Sequence, residues 1–203
     1  MSDRHRFLRV ACFTALVLLA TAARAQATLI PIPIGAFSGS AHVADFTVAS
    51  SQPLPYSEDG ATFASFSGLA SNVLSFNNFL FMAGNGTLRV NFNDPEIRAG
   101  FLFFNSIGGT ATVSVQAFAD LSGTQSLGTL ILGSFGANQS GFVGFQANAP
   151  FLRADISFAV PPTASFFIDD FRFEPTAVPE PATIALTFLG AGWLGRQVRR
   201  RRR

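Results

Sequence analysis

The stretch Ala111-Thr112-Val113-Ser114-Val115-Gln116-Ala117-Phe118-Ala119 alternates strictly between small apolar side chains and, Phe118 apart, polar ones. Successive side chains of a strand point to opposite faces. Ala111, Val113, Val115, Ala117 and Ala119 therefore share one face, and Thr112, Ser114, Gln116 and Phe118 the other. Gly108-Gly109 and Ser122-Gly123 close the strand as turns. The same texture runs outward in both directions, as short segments rich in Phe, Val, Ile and Thr between Gly, Asn, Ser and Asp. It predicts further strands at Ala41–Val48, Ala61–Ser67, Val73–Met82, Thr87–Phe92, Arg98–Phe104, Leu127–Leu132, Gly141–Gln146, Leu152–Phe158 and Ser165–Phe173, with the central one over Thr110–Ala119. No segment between the two termini keeps a helical period. About ten strands at this spacing predict an all-β, antiparallel, jelly-roll-like β-sandwich. The lack of a repeat of fixed period argues against a propeller or solenoid.

This pattern occupies residues 28–176, roughly 150 residues, a natural size for one domain with a substantial core. Twenty-one of the 24 phenylalanines lie there, while Tyr56 is the only tyrosine and the only tryptophan, Trp193, lies elsewhere. Phenylalanine without the polar handle of Tyr or Trp points to core filling. The exception expected is a pair facing opposite ways, as in Phe166-Phe167, where one ring turns outward. Basicity of the whole chain is misleading. Between the termini only Arg89, Arg98, Arg153 and Arg172 stand against ten acids, a formal charge of −6, and the chain has no lysine. An acidic domain lacks the basic surface that displaces counterions from nucleic acid, so nucleic acid is not an expected partner.

The N-terminus has the build of a signal peptide over residues 1–27. Arg4, Arg6 and Arg9 form a positive region, Val10–Ala20 an apolar one, and Ala23-Arg24-Ala25 or Ala25-Gln26-Ala27 a small-x-small cleavage site. The apolar region is too short to span a membrane comfortably, which favours cleavage over an uncleaved anchor. Cys12 would leave with it, so the mature chain is expected to hold no disulfide, thiolate nucleophile or cysteine metal site.

Residues 177–203 read differently again. Val178-Pro179-Glu180-Pro181 holds the chain extended. The apolar run Ala182–Gly195 follows, then Arg196 and the cluster Arg199, Arg200, Arg201, Arg202 and Arg203. Fourteen residues give about 21 Å of helix against a hydrocarbon core of about 30 Å. Arginine snorkelling and extension through Gln197-Val198 make up part of the difference. A single transmembrane helix with a cytoplasmic basic end is the expected arrangement, Trp193 lying near the interface. No Leu-Pro-x-Thr-Gly precedes it, which disfavours sortase anchoring. This order closely resembles the PEP-CTERM sorting signal of exported bacterial proteins. The resemblance implies processing by an exosortase-type enzyme, membrane attachment that is transient if the tail is removed, and a place in the envelope or extracellular matrix of a Gram-negative bacterium, among exopolysaccharide or biofilm components.

Within the body, Phe166-Phe167-Ile168-Asp169-Asp170-Phe171-Arg172-Phe173 resembles the final strand of many jelly-roll carbohydrate-binding modules. In those, a carboxylate near this strand often helps to hold a structural calcium ion. Pro55-Tyr56-Ser57-Glu58-Asp59-Gly60-Ala61-Thr62-Phe63 resembles an early turn-strand unit of exported PEP-CTERM proteins. Calcium needs six to eight oxygens, and Asp169, Glu58 and Asp59 are the expected contributors. Strand alternation turns at most one of Asp169 and Asp170 inward. The alternative arrangement leaves Asp170 solvated and pairs Asp169 with Arg172 or Arg153. No other metal or cofactor is expected.

Catalysis has little to work with. The body has one histidine, His42, no cysteine or lysine, and no Gly-x-Ser-x-Gly elbow. A triad would need His42 with Asp45, which alternation does not favour, and His42 reads as an exposed strand residue. A glycosidase needs only a carboxylate pair, which ten acids do not exclude, but the Trp and Tyr that hold sugar are missing. The sequence therefore predicts a non-enzymatic exported matrix protein with exopolysaccharide as a partner. The alternative is a polysaccharide hydrolase that uses a carboxylate pair.

Overall fold

The computed structural model describes residues 28–47, 52–68, 70–74, 78–106, 109–161 and 164–175. The expected signal peptide and the sorting segment lie outside the described residues. Twelve strands run as β1 (Leu29–Pro31), β2 (His42–Ala44), β3 (Gln52–Pro53), β4 (Tyr56–Glu58), β5 (Ala61–Ser67), β6 (Ala70–Leu74), β7 (Phe79–Ala83), β8 (Gly86–Asn105), β9 (Ala111–Phe118), β10 (Ser126–Phe135), β11 (Gln139–Ala159) and β12 (Ser165–Pro175). One turn of 3₁₀ helix, Ile34–Ala36, joins them. Among the described residues no helix is long and apolar enough to cross a membrane.

All pairings are antiparallel, and the two long strands explain the architecture. The first half of β8 pairs with the second half of β11, and the second half of β8 with the first half of β11. Their register breaks between Gln146 and Arg153, opposite the stretch from Asn91 to Arg98. Pro95 and Pro150 both fall in this break. Proline cannot donate to a ladder, so it is tolerated where pairing is already interrupted. Both strands bend there together and pass from one sheet to the other. One sheet thus runs β10-β9-β11-β8-β5-β4. The other runs β1-β11-β8-β12, with β7 and β2 sharing the far edge of β12, and β6 and β3 beyond β7. The result is an all-β antiparallel sandwich.

Alternation fills the space between the sheets. Leu88, Val90, Val113, Val115, Ala154 and Ile156 point inward from the first sheet, and Phe101, Phe103, Phe145, Phe166 and Phe173 from the second. Rings close the gap: Phe63 meets Phe171 at 5.1 Å between centroids, and Phe158 meets Phe166 at 4.5 Å. Among the described residues, ten of the twelve largest fully buried side chains are phenylalanine, so the composition that favoured Phe over Tyr leaves this core few phenolic hydroxyls to satisfy. Each such ring contributes about 2–3 kcal/mol on burial. A single polar side chain ties two turns to this core. Buried Asn105 donates from Nδ2 to the carbonyls of Gly109 (2.9 Å), Phe135 (3.0 Å) and Gly136 (3.1 Å).

Several expected strands need correction. Thr87–Phe92 and Arg98–Phe104 are one strand, as are Gly141–Gln146 and Leu152–Phe158, because the proline-marked corners bend the ladder without ending it. Val73–Met82 divides into β6 and β7, and the first strand is confined to His42–Ala44. β1, β3 and β4 escaped sequence reading because each has only two or three residues. Strict alternation also fails in β12. Phe166 and Ile168 are buried, then Phe171 and Phe173, with a register shift between Asp169 and Arg172 and Asp170 at φ 46°. One extra residue bulges here, and both aspartates are left partly exposed.

Candidate functional site

The outer face of the first sheet is set by register. Strand pairing lines up Thr62, Asn91, Arg153, Phe118 and Ser126 in one row across β5, β8, β11, β9 and β10. The next row is Ala64, Arg89, Asp155, Gln116 and Thr129. The third is Ser67, Thr87, Ser157, Ser114 and Ile131. This is the polar half of the alternation whose apolar half builds the core. Thr87 and Ser157 share a hydrogen bond of 3.0 Å, and Gln116 Nε2 donates to Ser126 Oγ at 3.1 Å.

Asp155 is the hub of this face. Arg89 donates from Nε (3.1 Å) and Nη2 (3.3 Å) to its two oxygens, and Arg153 donates from Nε (2.9 Å) and Nη2 to the same two. Arg153 Nη1 goes to the carbonyl of Leu121 at 3.2 Å. Burial opposes ionisation of Asp155, but the hydrogen bonds from Arg153 and Arg89 outweigh it and hold its pKa below the ordinary carboxylate value. The hydrogen bond to Asp155 likewise raises the pKa of Arg153 against the effect of burial. The turn after β9 must leave room for this guanidinium. Gly123 sits at φ 78°, and a side chain there would run into Arg153.

Two rings flank the charges. The Arg153 guanidinium lies 4.6 Å from the Phe118 centroid, and that of Arg89 only 3.6 Å from Phe66. Such stacking fixes the ring by attraction between cation and π-face. Phe66 is 54% exposed. It therefore presents a held aromatic face to solvent among hydroxyl, amide and guanidinium groups. Sequence reading missed this face, since it took phenylalanines as core and had no pairing to set Arg89 beside Asp155.

The second sheet also turns rings outward. Phe167 contacts Phe79 at 4.3 Å, Phe81 at 5.5 Å and Phe104 at 5.9 Å, forming a ladder across β7, β12 and β8. Phe166 is buried beneath, so the adjacent pair does face opposite ways. Leu102, Ser140 and Asp169 complete a groove of about 420 Å³ beside these rings. Burial raises the pKa of Asp169, and the charges of Asp170 and Asp45 add to the rise.

The expected calcium ligands are not brought together. Asp169 accepts from the backbone N–H of Asp170 at 2.8 Å. Glu58 accepts from the Phe46 N–H (2.9 Å) and Tyr56 hydroxyl (3.2 Å), and Asp59 from the Val43 N–H (3.1 Å). Among the described residues no three metal-binding side chains converge. The arginine pairing expected for Asp169 also differs: Arg172 sits 3.5 Å from Asp170, and Arg153 is taken by Asp155.

His42, half-exposed, stacks on Phe173 at 5.2 Å and pairs with Asp59 at 3.1 Å instead of with Asp45. Burial raises the pKa of Glu58, and nearby Asp45 adds to the rise. At the bend of β8, Glu96 is buried, and among the described residues its Oε2 has no partner.

No family model matches the chain, and no curated protein matches it. Among solved structures it is similar to carbohydrate-binding modules of family 29. A mutant of CBM29-2 aligns at 11% identity over 67% of this chain and 92% of that one, with a TM-score of 0.44. Further CBM29-2 mutants align at 12% identity. One is complexed with mannohexaose, covering 66% of this chain and 91% of that one at a TM-score of 0.41. Another is complexed with cellulohexaose, covering 73% and 92% at 0.40. At that distance the likeness assigns nothing to this chain.

Proposed function

We propose that this chain is a non-catalytic, exported β-sandwich that binds extracellular polysaccharide on the outer face of its first sheet. The observation that carries the reading is Phe66, an exposed ring held at 3.6 Å by Arg89 within rows of hydrogen-bonding side chains. Sugar rings offer apolar C–H faces that stack on aromatic rings, while their hydroxyls bond to side chains beside the platform. Replacing Phe66 by alanine is expected to weaken polysaccharide binding at least tenfold, or about 1.4 kcal/mol. Because the ring is more than half exposed, stability is expected to change by less than about 1 kcal/mol. Affinity electrophoresis against a panel of soluble polysaccharides, with urea unfolding alongside, measures both. Unchanged migration of the variant, or release of reducing ends by the wild type, would sink the reading.

Delivery rests on the termini. The signal-peptide pattern of residues 1–27 and the Pro179-Glu180-Pro181, apolar and arginine order of residues 177–203 support export, exosortase-type processing and inner-membrane attachment that ends when the tail is removed. Intact mass of the native protein in the secreted fraction is expected to lack both termini, ending near Pro179–Pro181. A membrane-bound form that keeps Arg199–Arg203 as the final product would contradict it.

A further inference from the structure

Resting on the polysaccharide reading of this face, we infer that the polymer it takes is acidic, with sugar carboxylates that meet Arg89. Charge placement is the first argument. Of the four arginines between the termini, Arg98 pairs with Glu174 at 3.0 Å and Arg172 faces Asp170 at 3.5 Å, one carboxylate each. Arg89 and Arg153 share the single carboxylate of Asp155. Two guanidiniums thus face one carboxylate in direct contact, and Arg89 holds only a half share of it.

The overall acidity of the domain does not cancel this imbalance. Apart from Asp155 and Asp120, the carboxylates lie in or beside β2, β4, the bend of β8, and β12. Asp120 is nearer and adds to the field at Arg153. Neutral partners hold its oxygens, the hydroxyl of Thr124 (2.7 Å) and the N–H of Gln125 (2.9 Å), so it stays ionised and offsets Arg153. The surplus is then that of Arg89, which shares Asp155.

Hydrogen-bond capacity is the second argument. Both oxygens of Asp155 already accept from two guanidiniums, so the one carboxylate on the face has little capacity left for a sugar hydroxyl. Arg89 has donors to spare: Nε and Nη2 go to Asp155, and among the described residues no acceptor faces Nη1. That nitrogen lies beside the exposed ring of Phe66. A polymer stacked on the free face of the ring can bring a substituent round the ring edge to this donor, and a uronate carboxylate, which only accepts, fits it.

The test uses the full-length chain with polygalacturonate and the same polymer after carboxyl reduction, which keeps the backbone and removes the charge. Binding to the acidic form is expected to be at least tenfold tighter and to weaken as salt rises from low ionic strength to 0.5 M. Arg89→Gln is expected to abolish the difference between the two polymers. Since this variant disturbs Asp155, the polymer pair with wild-type protein decides the matter alone. Equal affinity for both forms, or preference for the reduced polymer, overturns the inference and leaves the polysaccharide reading standing. Binding to neither form, nor to neutral glucan or mannan, overturns both.

Discussion

Asp155→Ala is expected to lower the unfolding free energy by about 3–5 kcal/mol, the largest effect of any single change on the outer face. The reason is what remains. Arg153 keeps a side chain only 7% exposed and cannot discharge, because guanidinium stays protonated at any accessible pH. Its Nη1 bond to Leu121 survives, but Nε and Nη2 lose their acceptor. Arg89 is less buried at 22% and can swing to water, so most of the cost falls on Arg153. Urea unfolding at pH 7 measures this. The control is to replace Arg153 by Met and Asp155 by Leu together. That double variant is expected to lose far less, since apolar side chains of similar volume need no partners. Comparable losses in single and double variants would mean that packing against Phe118, not the orphaned charge, sets the energy. Linkage has a definite sign here. The folded pKa of Asp155 lies below its unfolded value, so its contribution is fully present above about pH 4 and fades as pH falls through the folded value.

How far the fold and this face can be read from sequence depends on the range of the interactions. Ala111–Ala119 declares its own two faces, and β9 lies where the alternation puts it. The bulge in β12 also leaves a local mark. Phe166 and Ile168 are two apart, Phe171 and Phe173 are two apart, but Ile168 and Phe171 are three apart, so the alternation changes phase at Asp169-Asp170. The bends are harder. Proline within a run normally ends a strand, and nothing near Pro95 reveals that a partner strand bends at Pro150 to match it. Least legible is the site. Arg89 and Asp155 are 66 residues apart, and only the pairing of β8 with β11 sets them side by side. Phe66 looks like any other core phenylalanine until that register shows a guanidinium beneath it.

The same bend yields the second large effect, at Glu96. The register places it opposite Phe151 and Pro175, and the residue is 2% exposed with no partner for Oε2 among the described residues. Burial pushes its pKa up to about 7. His42 on β2 pulls the other way, while Asp94 beside it and Glu174 on β12 add to the rise. The unfolded chain titrates near pH 4.5. Between these values the folded state holds a proton that the unfolded state has released, so stability declines as pH rises from about 4.5 to about 7. A separation of this size is worth on the order of 3 kcal/mol. Glu96→Gln keeps the shape and cannot ionise. It is expected to match the parent at pH 4 and to exceed it by up to about 3 kcal/mol at pH 8, read from urea unfolding across that range. Parallel pH profiles would show that water reaches the carboxylate and that burial costs it little. The slope is opposite to that of Asp155. One carboxylate erodes stability on the acid side because its partners are lost with its charge, and the other on the alkaline side because its charge has no partner. Between them, at mildly acid pH, lies the range where the first is ionised and the second is not.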